Sequence, residues 1–351
     1  MNKKKKIIIT VIMIIIFALC FIPNQNYNCR HRLEIVSSYG DNQAYHPKVL
    51  AFKEKWNGYK YWMSYTPYPK GDDGKENPHI AVSNDLVNWK APGDNVNPLD
   101  EPDDKQASLR YNSDSHIVYN YDTNELYCYW RYVDDINNAV FIYRRDTKDG
   151  INWSPKKITA YSNDRKSKDY ISPAIIYENG AYKMWYVDQG NTVTYATSND
   201  GITWNDESIV KLEYEKDLKT WHLDVIHTRE NYEMIVVAYD KWANRNDMSL
   251  YYTFSTDGIT WNKTRTILKP SVRSQYWDNK GIYRSSFIYE NGKYYVFYGG
   301  TSKSYDHGIG MVYGESIDNL HKVNANFKSQ KDINRLKEQI SRWLKKWILN
   351  I

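Results

Sequence analysis

Cysteine is scarce: three residues in 351. No CxxC pair and no Cys/His spacing of a zinc module is present, which excludes a disulfide scaffold and a structural zinc fold. Phenylalanine is also sparse, at 8 residues, whereas tyrosine reaches 33 and tryptophan 13. Glycine and proline, 17 and 11, are too few for a fibrous or low-complexity chain. Charged residues at 25% and hydrophobics at 41% are those of a globular protein, which argues against wholesale disorder. The length allows two domains or one large all-β unit. The Tyr/Trp excess favours strands and surfaces that are half apolar and half wet.

The net charge of +5 sits at the ends. Lys3 to Lys6 hold four positive charges, and the tail from Lys322 holds eight cations against two anions. The middle of the chain is mildly acidic, so the basicity does not point to nucleic acid. Lys3 to Lys6 precede an apolar run, Ile7 to Ile22, broken only by Thr10. This pattern predicts a signal peptide or membrane anchor over residues 1–22, followed by a linker over 23–43. The protein is therefore expected to be secreted, or held at the cell surface by its anchor. Export permits a bridge between Cys29 and Cys128, and two free thiols fit equally.

Internal repeats set the architecture. Ser83-Asn-Asp-Leu-Val-Asn-Trp89 recurs as Thr147-Lys-Asp-Gly-Ile-Asn-Trp153, Ser198-Asn-Asp-Gly-Ile-Thr-Trp204 and Ser255-Thr-Asp-Gly-Ile-Thr-Trp261. A worn copy is Ser316-Ile-Asp-Asn-Leu-His321. Asp-Gly marks a hairpin turn, and the leading hydroxyl can bond the turn backbone. A second repeat lies upstream of each: His46-Pro-Lys-Val-Leu, Asp114-Ser-His-Ile-Val-Tyr119, Ser172-Pro-Ala-Ile-Ile-Tyr177, His222-Leu-Asp-Val-Ile-His227 and Arg284-Ser-Ser-Phe-Ile-Tyr289. An aromatic strand follows each. Five units of four strands predict an all-β, five-bladed β-propeller over residues 44–325.

These motifs resemble the five-bladed propeller glycoside hydrolases, the arabinanase/xylosidase and fructosidase/levanase-like superfamily. The Ser83–Trp89 run is similar to the end of their first blade. Tyr45-His-Pro47 stands where they carry an Asp-Pro on the first strand. The Asp-Gly turns also resemble the Asp box of sialidases but are one residue shorter. The resemblance implies a glycoside hydrolase acting on a poly- or oligosaccharide at the central mouth, which the N-terminal segment would export.

Alternate residues of an innermost strand face the channel. Aligned on their apolar pairs, the five strands place His46, Asp114, Ser172, His222 and Arg284 at one level. Two residues on stand Lys48, His116, Ala174, Asp224 and Ser286. Glycoside hydrolysis needs two carboxyl groups. Asp114 and Asp224 are the channel candidates. Glu76 is a third that either reaches the mouth or is an exposed loop acid. In the resembling enzymes the second-blade Asp tunes the proton donor, which Asp114 matches, but their first-blade Asp falls on His46. Candidate sugar-binding residues are His46, His116, His222, Arg284, Trp221, Tyr65 and Arg131. No cofactor or metal is expected, although the histidines with Asp114 or Asp224 form a set able to hold a cation. The alternative is a non-catalytic carbohydrate-binding propeller.

Residues 326–351 are expected to be an amphipathic helix. Ile333, Leu336, Ile340, Trp343, Leu344, Trp347 and Ile348 form its stripe, with lysines and arginines opposite. Such a helix either clasps the propeller or lies on a membrane surface.

Overall fold

The computed structural model describes residues 30–323, apart from 105, 107, 229 and 241–246. The N-terminal apolar run, Cys29 and the C-terminal amphipathic segment lie outside the described residues. Arg32–Lys322 forms one compact unit, and the description is of that unit. No helix among the described residues is long and apolar enough to cross a membrane.

The unit is a five-bladed β-propeller of antiparallel meanders. Blade 1 contains β1 (Ala44–Trp56), β2 (Tyr59–Pro67) and β3 (His79–Ser83). Blade 2 contains β4 (Arg110–Asn120), β5 (Glu125–Asp134), β6 (Ala139–Thr147) and β7 (Lys157–Ser162). Blade 3 contains β8 (Ile171–Glu178), β9 (Ala181–Val187), β10 (Val193–Ser198) and β11 (Asn205–Val210). Blade 4 contains β12 (Leu218–His227), β13 (Tyr232–Asp240), β14 (Ser249–Ser255) and β15 (Arg265–Leu268). Blade 5 contains β16 (Gly281–Glu290), β17 (Lys293–Thr301), β18 (His307–Gly314) and β19 (His321–Lys322). The inner strands β1, β4, β8, β12 and β16 pack side by side in a closed ring.

Blade 1 departs from the expected four strands. Only the bridge Val82↔Lys90 stands where a fourth would run. The chain beyond it carries Pro92, Pro98 and Pro102, which lack the donor a ladder needs. Closure also uses the N-terminal side: Leu33 N donates to Ile309 O, and Arg32 bridges Gly310 on β18.

The core lies between blades. Trp62, Trp130 and Trp185, on second strands of successive blades, are fully buried. The Asp-Gly turns lock those interfaces. In the second copy Asp149 Oδ1 accepts from Ile151 N and Asn152 N, while Thr147 Oγ1 accepts from Gly150 N. Gly150 has φ +75°, and a Cβ there would stand 2.1 Å from the Trp62 ring of the preceding blade. Glycine is thus required both by its backbone and by the neighbouring indole.

Candidate active site

Each inner strand carries a bulge where it meets the upper mouth. The register breaks between Tyr45/Lys48, Ser113/His116, Ile171/Ala174, Thr220/His222 and Tyr283/Ser285. His46, Asp114 and Ser172 have φ of 49°, 53° and 54° at these bulges. A non-glycine residue in the left-handed region costs on the order of 1–3 kcal/mol and concentrates at functional sites. Bulges re-aim side chains. Here they bring His46, Asp114 and His222 to one point from three different blades.

That point is the floor of a cavity of about 770 Å³. His46, Asp114 and His222 are buried, and each offers a ligand atom within 4.8 Å of the other two. Asp114 Oδ2 accepts from Ser172 N at 3.1 Å. Its Oδ1 lies 3.5 Å from His222 Nδ1 and 3.5 Å from Arg284 Nη1. His46 Nδ1 lies 2.7 Å from Glu76 Oε1 and 2.8 Å from Thr66 Oγ1. Its Nε2 is buried with no hydrogen-bond partner among the described residues, and so is Asp114 Oδ1.

The electrostatics suit a cation. Burial pushes His46 well below the usual imidazole range, against the pull of Asp114, so the ring is neutral and keeps a lone pair. Burial alone would raise Asp114, but His222 and Arg284 outweigh it and hold the carboxyl at about 2. Burial, with Asp114 adding to it, pushes Glu76 well above the carboxylate range. A carboxyl on the far nitrogen of a histidine fixes its ring and tautomer, the usual support of a metal-ligating imidazole. Two imidazoles and one carboxylate are a donor set for a divalent transition metal. The residues present fit such an ion.

Two walls rise from this floor. One is aromatic. Tyr283 packs edge-on against His222 at 4.4 Å and stacks on Tyr45 at 5.0 Å. Trp221 Nε1 donates to Tyr283 Oη at 3.0 Å, and Tyr68 and Tyr239 continue the wall. The other wall is polar. Arg131 Nε donates to Asp169 O at 2.7 Å, and Arg165 Nε to Asp169 Oδ1 at 2.7 Å. Gln189 and Asn191 stand beside them.

Of the residues expected from sequence, His46, Glu76, Asp114, Arg131, Trp221 and His222 line this cavity. Glu76 is 4% exposed, so the reading as an exposed loop acid fails. Two short 3-10 turns, Pro69–Gly71 and Asp73–Lys75, fold its loop back over the mouth. Arg284 lies beneath the floor. Asp224 sits deeper in the channel, paired with Lys48 at 2.7 Å and accepting from Phe287 N at 3.3 Å. Its charge is spent on holding three blades together. His116 ties blade 2 to blade 3, with Nε2 2.9 Å from Ile175 N and 2.8 Å from Ile175 O. Tyr65 packs on His79 at 5.2 Å, away from the cavity lining. Sequence reasoning missed Arg165, Asp169, Gln189 and Asn191. Arg165 and Asp169 come from the loop that enters blade 3, and Gln189 and Asn191 from the hairpin between β9 and β10; neither carries a repeat, and the only signal is the charged run Asp164–Asp169 just before an inner strand.

No family model matches the chain. Over 306 residues it is 32% identical to the A type blood N-acetyl-α-D-galactosamine deacetylase of Flavonifractor plautii. That match covers 73% of this chain and 39% of the relative, so the chain spans well under half of the curated relative's length. Among solved structures, an N-acetylgalactosamine deacetylase from F. plautii, in complex with blood group B trisaccharide, superposes with a TM-score of 0.75. Identity there is 25%, covering 84% of this chain and 98% of that one. An exo-1,5-α-L-arabinanase from a bovine ruminal metagenomic library gives a TM-score of 0.57 at 14% identity, covering 81% and 96%. The α-L-arabinanase of Cellvibrio cellulosa, complexed with arabinohexaose, gives 0.55 at 14%, covering 77% and 91%. The chain has the fold of the five-bladed propeller glycoside hydrolases. The resemblance read from the repeats thus holds for the architecture, and the relatives that carry this fold act on carbohydrates.

Proposed function

We propose that the protein is a carbohydrate-active hydrolase that removes N-acetyl groups from a glycan, with a divalent cation held by His46, Asp114 and His222. The observation that carries this reading is the cluster itself. Two imidazoles and one carboxylate meet where a glycosidase of this fold needs carboxylates on both sides of the scissile bond. The 32% identical relative is a deacetylase, which supports the same chemistry. A bound divalent cation supplies Lewis-acid polarisation of a carbonyl oxygen. The chain supplies the rest. Glu76 fixes the His46 ring. Trp221 and Tyr283 offer flat apolar faces for a pyranose beside the triad. Arg131, Gln189 and Asn191 face the hydroxyl groups. Arg284 beneath Asp114 keeps that carboxyl ionised.

A glycosidase remains the second reading, favoured by Glu76 and Asp114 lining one cavity. The two are separated by incubating the chain with an N-acetylated oligosaccharide and following acetate and reducing ends together. Acetate release that stops with a chelator and returns with a divalent cation supports deacetylation. New reducing ends without acetate, unchanged by the chelator, replace it with glycoside hydrolysis. Binding without either product leaves a carbohydrate-binding propeller. The basic start and apolar run of residues 1–22 support export and a cell-surface or secreted site of action; fractionating the producing cells tests this.

A further inference from the structure

The channel has a second mouth, and its lining differs in kind from the first. A cavity of about 1080 Å³ opens there, reached by residues of all five inner strands or their turns. The repeat alignment explains its character. Five residues beyond the level of His46 stand Ala51, Tyr119, Tyr177, His227 and Tyr289. Four of five blades thus present an aromatic ring at one height of a solvent-facing opening. These rings have a structural part, since Tyr177 and Tyr289 pack on the partners Tyr182 and Tyr294, each at 4.7 Å. Hairpin packing does not explain the exposure that remains. Tyr289 is 48% exposed, and Tyr121, edge-on to Tyr119 at 4.9 Å, is 70% exposed.

Besides the tyrosines, the ionisable groups among the described lining residues of this mouth are three carboxylates, one lysine and one histidine. Glu178, Glu230 and Glu233 line it. The cation among the lining residues, Lys48, is buried and committed to Asp224 at 2.7 Å. Glu233 accepts from Tyr252 and Tyr294, and Glu178 holds Lys183, Tyr232 and His227, so these two carboxylates are fixed in place. Asn231, Asn291 and Thr228 add neutral hydrogen-bonding groups. The Lys48–Asp224 pair, Arg284 and His116 are all buried, and none of them lines the first cavity.

We infer that this opposite mouth is a second glycan-binding site, for a strand of uncharged or amine-bearing sugars. Tyrosine faces take the apolar face of a pyranose, as aromatic rings do for flat apolar surfaces generally. Carboxylates and amides take its hydroxyl groups. The carboxylates of Glu230 and Glu233 disfavour uronate, sulfate or phosphate groups and favour an ammonium. The site rests on the carbohydrate-active reading only for its ligand class, and it holds the polymer without reaching the His46–Asp114–His222 floor.

The test uses the full chain on an array of neutral, amino and acidic oligosaccharides, then titration calorimetry with the best-binding one. His46→Ala, which disables the first cavity, is expected to keep this binding. Tyr121→Ser/Tyr289→Ser, at two exposed positions, is expected to weaken it about tenfold, the scale of a lost aromatic contact. The same variant is expected to process a small monosaccharide substrate at the parental rate. Glu230→Lys is expected to weaken an amine-bearing ligand most. Equal affinity in the parent and the double tyrosine variant overturns the inference. So does loss of all binding in His46→Ala, or binding of acidic glycans alone. Loss of acetate release with binding intact overturns the deacetylase reading and leaves this one standing.

Discussion

Replacing Glu76 by Gln keeps the side chain's shape and removes its acid group. The structure places Glu76 Oε1 2.7 Å from His46 Nδ1 and buries both groups. The carboxyl's task in this account is to hold the Nδ1 proton, so that Nε2 faces the cavity as a ligand. Glutamine can still accept one hydrogen bond, but its amide can turn a donor toward the ring instead and cannot exchange a proton with it. Loss of such an outer partner lowers metal affinity by about 10–100-fold, or roughly 1.4–2.8 kcal/mol. Titration calorimetry of the chelated protein with Zn²⁺ or Mn²⁺ reads this directly, with His46→Ala as the variant that loses the ligand itself. The account expects Glu76→Gln to bind more weakly than the parent and more tightly than His46→Ala. At saturating cation it expects much of the lost turnover to return. Cation affinity equal to the parent's, with turnover still abolished at saturation, refutes the positioning role and places Glu76 on the substrate.

Further outcomes follow from the scaffold. Gly150→Ala, with φ +75° and Trp62 at 2.1 Å, is expected to destabilise by about 2–4 kcal/mol from backbone strain and overpacking. Gly180→Ala, at φ +77° with nothing within 4 Å, should show only the backbone part, about 1–2 kcal/mol, in urea titrations. Lys48→Met leaves the Asp224 charge buried and alone, and is expected to lose about 3–5 kcal/mol, largely recovered in Lys48→Met/Asp224→Leu. Bonds from Thr260 N and Ile259 N hold Asp257 at about 2 in the folded chain. An unfolded Asp titrates near about 3.9. The contribution of Asp257 is therefore present above that pH and lost as the pH falls toward about 2. Denaturant midpoints measured between about pH 5 and 3 should fall less steeply for Asp257→Asn than for the parent.

The propeller was legible because its signals are local and repeated. Ser83, Thr147, Ser198 and Ser255 each open a turn whose hydroxyl and Asp carboxylate cap the backbone, and the spacing of those turns counts the blades. The channel level was legible for the same reason: one alignment brought His46, Asp114 and His222 to one height. The bulges that converge them were not, because they depend on partner strands. The depth of Asp224 was hidden too. Its partner, Lys48, is 176 residues away, and the two meet only when the ring closes. Glu76 lies in a loop whose course depends on two short turns. The polar wall of Arg165, Asp169, Gln189 and Asn191 belongs to one linker and one hairpin turn that share no motif. The missing fourth strand of blade 1 was signalled by Pro92, Pro98 and Pro102, a local cue that the repeat count overrode.

The most direct measurement is X-ray diffraction at the zinc or manganese absorption edge, on crystals of the full chain grown with that cation. The account predicts one anomalous peak in the propeller mouth, ligated by His46 Nε2, Asp114 and His222, and its disappearance in His222→Ala. A mouth with no peak at saturating cation, in a protein that still releases acetate, contradicts it.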